Sequence, residues 1–175
     1  LLPIGQFLAL SGGGDNGAFA AGLLVGWSKA GDRPQFQVVT GVSTGALMAP
    51  FAFLGPDYDR QLRDFYTTIS AKDIFRNRGL LGGYCDDAMA DTTALWRLIS
   101  RLADAPLLAA IAREYQQGRL LLIGTTDLDA ERANIWNIGA IAASGHPGAL
   151  DLVRKILRAS SAVPAMFHPV MIDVE

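Results

Sequence analysis

A length of 175 residues, a formal net charge of −2 and an apolar share of 50% describe one ordinary domain with a single core and strands buried on both faces. The lack of any Lys/Arg cluster excludes a nucleic-acid surface, which needs a concentrated basic footprint. Cys85 is the single cysteine, so an intrachain disulfide and a cysteine-built metal site are excluded too.

Leu1-Leu2-Pro3-Ile4-Gly5 carries neither a basic n-region nor a cleavage pattern, so no signal peptide is read there. The first residue is not methionine, which leaves room for an upstream targeting segment. Phe7-Leu8-Ala9-Leu10 is a short apolar run that meets glycines at once, and Ala18 to Trp27 continues at helical spacing, giving strand, tight turn and helix. Phe36 to Thr40 reads as a second strand ending at Gly41. A turn and a helix through Leu54 follow, with Pro50 expected to bend the helix by removing one backbone hydrogen bond. The uncharged stretch from Pro34 to Pro56 is long enough to raise the question of a membrane span. Its polar Gln35, Gln37, Thr40, Ser43 and Thr44, and its breaks at Gly41, Gly45 and Pro50, fit a strand, a turn and a buried helix better.

Asp57 to Ile69 places Tyr58, Leu62, Phe65, Tyr66 and Ile69 on one stripe, the pattern of an amphipathic helix lying on a sheet. Asn77 to Gly83 reads as an irregular glycine-rich loop at the mouth of a site. Leu95, Leu98, Ile99 and Leu102 mark another helix; Pro106 opens the next as its first residue and Gly118 closes it. Leu120 to Gly124 is a buried strand and Ile135 to Ile138 a further one. Leu150, Val153, Ile156 and Leu157 form a late helix before a turn at Pro164, and Val170-Met171-Ile172 is strand-like. Strands alternating with helices predict an α/β fold around a mainly parallel sheet.

Two glycine motifs carry the chemistry. Gly41-Val42-Ser43-Thr44-Gly45 is G-x-S-x-G between a predicted strand and a predicted helix, the context in which a strained turn lifts a serine hydroxyl above the sheet. Gly41 and Gly45 leave room for strand and helix to approach, and the helix N-terminus favours developing negative charge. Ser11-Gly12-Gly13-Gly14-Asp15-Asn16-Gly17 follows the first strand, and its three consecutive glycines let backbone N–H groups converge on one spot, as an oxyanion hole requires. Gly12, Gly14 and Gly17 also satisfy the dinucleotide pattern G-x-G-x-x-G. That reading needs an acidic residue at the end of the second strand, where this chain has Thr40-Gly41, with Asp32 lying before the strand. Together the two motifs set a nucleophile, Ser43, beside a row of amide donors at the carboxyl ends of neighbouring strands.

Other polar residues have plainer roles. His146 and His168, the only candidate bases for an α/β-hydrolase triad, adjoin proline in loop-like sequence and read as turn or structural residues. Asp127 and Asp129 read as hydrogen-bonding turn backbone. Trp27, Trp96 and Trp136 read as packing residues. Asp86, Asp87 and Asp91 lack the spacing of a calcium loop and read as a solvated turn.

The chain resembles the patatin-like phospholipase family over nearly its whole length. Ser11 to Gly17 resembles the family's oxyanion-hole motif and Gly41 to Gly45 its nucleophile turn. Thr125-Thr126-Asp127-Leu128-Asp129 with Trp136, and Ala159-Ser160-Ser161-Ala162-Val163-Pro164 with Phe167, resemble two further blocks. The resemblance implies a three-layer α/β/α sandwich and a Ser-Asp dyad without a histidine. It also implies hydrolysis of phospholipid or other lipid esters, with contact at a membrane surface and no metal or organic cofactor. In the family the aspartate belongs to an Asp-Gly motif, which this sequence lacks; Asp173, in Ile172-Asp173-Val174-Glu175, does not match it. Residues 1–175 are therefore expected to form a single catalytic domain whose dyad aspartate lies beyond the last residue. Asn16 stands where the family often carries Arg or Lys, so anion binding would rest on backbone donors, with Asp15 directed away. A transacylase using the same serine, and a non-catalytic lipid- or partner-binding unit, are the alternatives.

Overall fold

The computed structural model describes residues 5–68, 92–162 and 168–173. β1 (Phe7–Leu10) leads through a single 3-10 turn (Gly14–Asn16) into α1 (Gly17–Ala30), and β2 (Val38–Gly41) leads into α2 (Thr44–Leu54). A second 3-10 turn (Pro56–Tyr58) opens α3 (Asp59–Thr68). Then come α4 (Thr92–Leu102), α5 (Ala105–Gln116), β3 (Leu120–Asp127), β4 (Arg132–Asn137), α6 (Ile138–Ala143) and α7 (Ala149–Ser161). The sheet has four strands in the order β1-β2-β3-β4. β1 pairs parallel with β2 and β2 with β3, whereas β3 and β4 form an antiparallel hairpin. The α/β class and the mainly parallel sheet are those expected from the alternation of elements.

The pairing register sorts the strand residues onto two faces. Leu8, Leu10, Val39, Leu121, Ile123 and Trp136 share one face and join the hydrophobic core, with Val39, Leu121 and Ile123 fully inaccessible. The opposite face is not buried among the described residues. Phe7 is 71% and Ile135 65% exposed there, and Val38, Leu120 and Leu122 are half-buried. The expectation of strands buried on both faces thus holds for one face of the described sheet.

α2 sits over the buried face and is itself buried from Gly45 to Phe53 on every side. A helix apolar all round is one enclosed by its own protein, and this resolves the long uncharged stretch as β2, a turn and α2. Among the described residues no helix is long and apolar enough to cross a membrane. Pro50 lies inside α2, which runs through it to Leu54. Two buried arginines satisfy the carbonyls at the far end: Arg33 Nη2 donates to the Ala52 carbonyl at 3.0 Å and Arg119 Nη2 to that of Phe53. Each is paired, Arg33 with Asp59 at 2.7 Å and Arg119 with Glu114 at 2.6 Å. Arg119 Nε also donates to the Phe36 carbonyl at 2.8 Å, and its guanidinium lies 4.3 Å from the centre of the Phe53 ring. Buried charge is tolerated only in such company, and positive charge at a helix C-terminus complements its dipole.

Several boundaries differ from the sequence reading for local reasons. β2 starts at Val38 because Phe36 turns into the core against Trp27, with ring centroids 5.9 Å apart. α5 starts at Ala105, capped by Asp104, whose carboxylate accepts from the Leu107 amide at 2.8 Å, so Pro106 is its second residue. Ile138 leaves the strand because Asn137 caps α6, accepting from the Ala140 amide at 2.9 Å. Val170 to Ile172 has no strand partner among the described residues and no regular structure; Ile172 packs on the core while Met171 is exposed. The loop Asn77 to Gly83, Cys85, the Asp86-Asp87-Asp91 group and the Pro164 turn lie outside the described residues.

Arg119→Met is expected to cost about 3–5 kcal/mol, because it strands the carbonyls of Phe36 and Phe53 and leaves Glu114 without its partner. The denaturation midpoint in urea checks this, and Arg119→Lys is expected to recover only a minor part, since a single ammonium nitrogen cannot reproduce the spread of Nε, Nη1 and Nη2 over three separate acceptors.

Candidate active site

The site is built where β1 and β2 end. Ser43 stands between β2 and α2 with φ 56° and ψ −125°, a conformation that residues with a side chain rarely adopt. Only one other described non-glycine residue, Glu131 in the β3–β4 turn, has a positive φ. The Gly45 amide donates to the Val42 carbonyl at 2.9 Å and the Ala46 amide to that of Ser43 at 2.9 Å, closing a tight turn into the helix.

The glycines on either side are required sterically. A Cβ at Gly41 would lie 2.5 Å from the Gly45 carbonyl oxygen, and one at Gly45 would overlap the backbone carbonyls of Leu10 and Ser11. Both contacts are with backbone, which cannot swing aside. The turn is therefore pressed against the end of β1, and the Val42 amide donates to the Leu10 carbonyl at 3.2 Å.

This approach brings the first glycine turn to Ser43. A Cβ at Gly12 would stand 3.1 Å from Ser43 Cβ and 3.7 Å from Ser43 Oγ. Gly14 has φ 53° and begins the 3-10 turn that enters α1. The backbone amides of Gly12, Gly13 and Gly14 donate to no acceptor among the described residues, and Ser43 is half-buried. Asp15 and Asn16 are exposed, and Asn16 makes no side-chain cap for α1.

Two side chains clamp the turn from outside: Ser160, from the Ala159–Pro164 block, and Tyr66, from the apolar stripe of α3, neither assigned this contact by the sequence. From α7, Ser160 Oγ accepts the Ser43 amide at 2.9 Å and donates to the Gly124 carbonyl of β3 at 2.7 Å. From α3, the Tyr66 hydroxyl lies 2.8 Å from Thr44 Oγ1 and donates to the Thr44 carbonyl at 3.0 Å. Gly17 makes this possible, because a Cβ there would meet Thr44 Oγ1 and the Tyr66 ring. Burial pushes the Tyr66 hydroxyl up from 10.0 to about 12, against a smaller lowering by its hydrogen bond to Thr44.

The remaining polar candidates stand elsewhere or are occupied. Asp127 caps the β3–β4 turn, its carboxylate accepting from the amides of Asp129 at 3.1 Å and Ala130 at 3.0 Å, as turn aspartates do. His146 Nδ1 accepts the Gly148 amide at 3.0 Å in the turn before α7, and His168 is exposed. Asp173 lines an open groove of about 550 Å³ with His146, Asp151 and Lys155, between α6 and α7. Trp136 packs on the core and donates to Thr125 Oγ1 at 2.8 Å, tying β4 to β3. Asp32 is exposed and precedes β2, and the end of β2, where a dinucleotide ribose would be held, carries Thr40-Gly41.

The raised pKa of Tyr66 has a definite sign. Its contribution to stability is complete below pH 10 and is lost as the pH climbs toward 12, because the folded state resists forming the phenolate. The wild type is expected to lose on the order of 2 kcal/mol more than Tyr66→Phe across that window. At neutral pH the variant is expected to be about 1 kcal/mol less stable, for want of the Thr44 bonds. Urea midpoints at neutral and alkaline pH measure both.

Comparison with known proteins identifies the family. The family model described as patatin-like phospholipase matches residues 8–175. No curated protein matches the chain. A match across nearly the whole length, over a sheet whose first two strands end in the two glycine turns, makes the chain a member of the patatin-like phospholipase family, a family of lipid acyl hydrolases.

Proposed function

We propose that the chain hydrolyses the acyl ester of a glycerophospholipid or related lipid through an acyl-enzyme on Ser43. The observation that carries this reading is the positive-φ turn at Ser43 with Gly12 packed against its side chain. Ser43 Oγ attacks the ester carbonyl carbon while its proton passes to a carboxylate. The carbonyl oxygen, now negative, is received by the amides of the Gly12 to Gly14 turn, which have no other acceptor among the described residues. Collapse of the tetrahedral adduct expels the alcohol with a proton, and water then releases the fatty acid from Ser43.

The Ser43 amide is already given to Ser160, so the first-turn glycines, rather than the nucleophile's own N–H, are the donors assigned to the oxyanion. The proton acceptor is assigned to an aspartate outside the described residues, since Asp127 is engaged in its own turn and Asp173 lies in the groove against α7. Substrate is taken from a lipid surface. Val42 and Leu128, each about half exposed, follow the carboxyl ends of β2 and β3 and offer apolar contact there.

The test is labelling of the full-length protein with a fluorophosphonate beside its Ser43→Ala variant. Labelling and ester hydrolysis are expected to vanish in the variant, with turnover down on the order of 10⁴-fold or more. Equal labelling of the two removes Ser43 as nucleophile. Gly12→Ala is expected to fold after a small local shift, since its added methyl would stand 3.1 Å from Ser43 Cβ and at ordinary contact distance, 3.6 Å, from the Val42 carbonyl. It should lose about 10²-fold or more in kcat as the methyl crowds the oxyanion position.

A further inference from the structure

We infer that Ser160 is a positioning residue for the nucleophile, holding Ser43 in its high-energy backbone conformation through the Ser43 amide. The inference rests on the reading of Ser43 as nucleophile. The backbone at Ser43 lies in a region that persists only where the surroundings over-determine it. Its carbonyl is held by the Ala46 amide of α2, but its own N–H points away from the helix and has no backbone acceptor among the described residues.

Ser160 supplies that acceptor. Its hydroxyl oxygen accepts the Ser43 N–H at 2.9 Å and its O–H donates to the Gly124 carbonyl at 2.7 Å, so one oxygen links the turn after β2 to the backbone of β3. Neither partner has slack. Gly124 is buried, and a Cβ there would press on the Val42 side chain at 3.1 Å, so the strand backbone lies directly beneath the turn. Ser160 itself is carried in the last turn of α7, which is anchored in the core by Val153, Ile156 and Leu157. Ser161 adds a longer contact, its Oγ 3.5 Å from the Ser43 carbonyl.

Removing the hydroxyl leaves the Ser43 N–H without its acceptor and lets the peptide before Ser43 rotate. The serine oxygen then moves relative to the Gly12 turn, and displacements of about 1 Å cost on the order of 10²-fold in rate. Recognition of the lipid does not pass through Ser160, so the loss falls on the chemical step.

The experiment measures fluorophosphonate inactivation of the full-length protein and its Ser160→Ala, Ser160→Thr and Ser160→Cys variants, separating the saturating rate from the half-saturating concentration. Ser160→Ala is expected to lower the saturating rate about 10- to 100-fold with the half-saturating concentration unchanged. Threonine, which keeps the hydroxyl, is expected to restore most of it, and cysteine, a weak acceptor, to fall between. Hydrogen exchange at the Ser43 amide is expected to be slow in the wild type and fast in Ser160→Ala. Should Ser160→Ala fail to fold, the cysteine variant carries the same comparison at wild-type melting temperature. A lowered melting temperature with an unchanged saturating rate, or an exchange rate at Ser43 indifferent to position 160, overturns the inference. Labelling that survives Ser43→Ala overturns the reading of the nucleophile instead, and the exchange measurement still tests the contact.

Discussion

The structure depends on a backbone-to-backbone contact that only glycine permits. Gly45, in the first turn of α2, lies against the carbonyls of Leu10 and Ser11 at the end of β1, and Gly41 lies against the Gly45 carbonyl. No side chain separates helix from sheet at this point, and the site follows from it. With the helix so close, the chain between β2 and α2 has no room for a relaxed connection, and Ser43 takes up the difference in its own φ and ψ. The same closeness brings Gly12 to the Ser43 hydroxyl. A single methyl at position 45 would push α2 off the sheet and part the two glycine turns.

α2 also explains how charge is arranged around the site. Its N-terminal end faces the glycine turn, where the proposed mechanism places the oxyanion, and its C-terminal end meets two guanidinium groups with their own carboxylate partners. A buried helix with an uncompensated end carries unsatisfied carbonyls in a low-dielectric setting. Arg33 and Arg119 remove that liability at the end of α2 remote from Ser43, leaving the positive N-terminal end beside the serine turn. Arg33 reaches it from the loop before β2 and Arg119 from the start of β3, so stability and function are coupled through one element.

What the sequence made legible was local. The strand-turn-helix order around Ser43 and the glycine run at 12 to 14 were readable because G-x-S-x-G and three consecutive glycines impose backbone geometry over a few residues. The β3–β4 hairpin was half legible: Leu120 to Gly124 stood out, but the polar Thr125 to Asp127 extension and the helix at Ile138 did not, since Asn137 caps α6 with a side-chain bond that hydropathy does not register. Ser160 and Tyr66 were the least legible. Ser160 contacts Ser43 across 117 positions of sequence and Tyr66 contacts Thr44 across 22, and a lone hydroxyl on a helix has no periodicity to betray it. Tyr66 belongs to an apolar stripe, where its ring obeys the pattern and its hydroxyl is silent. The arginine caps were hidden for the same reason, as single charges whose partners are backbone carbonyls of distant segments.

Complete enclosure of α2 has an evolutionary meaning. Helices such as α7, with exposed Asp151 beside buried Val153 and Ile156, can drift freely along one side while conserving the other. α2 offers no such free side: from Gly45 to Phe53 every position is walled in, so substitutions there can trade only one compact apolar shape for another. Change among descendants of this chain should therefore be poorest along the segment behind the serine. Diversity would have to arise in the loops around it, while the helix behind Ser43 stays nearly fixed.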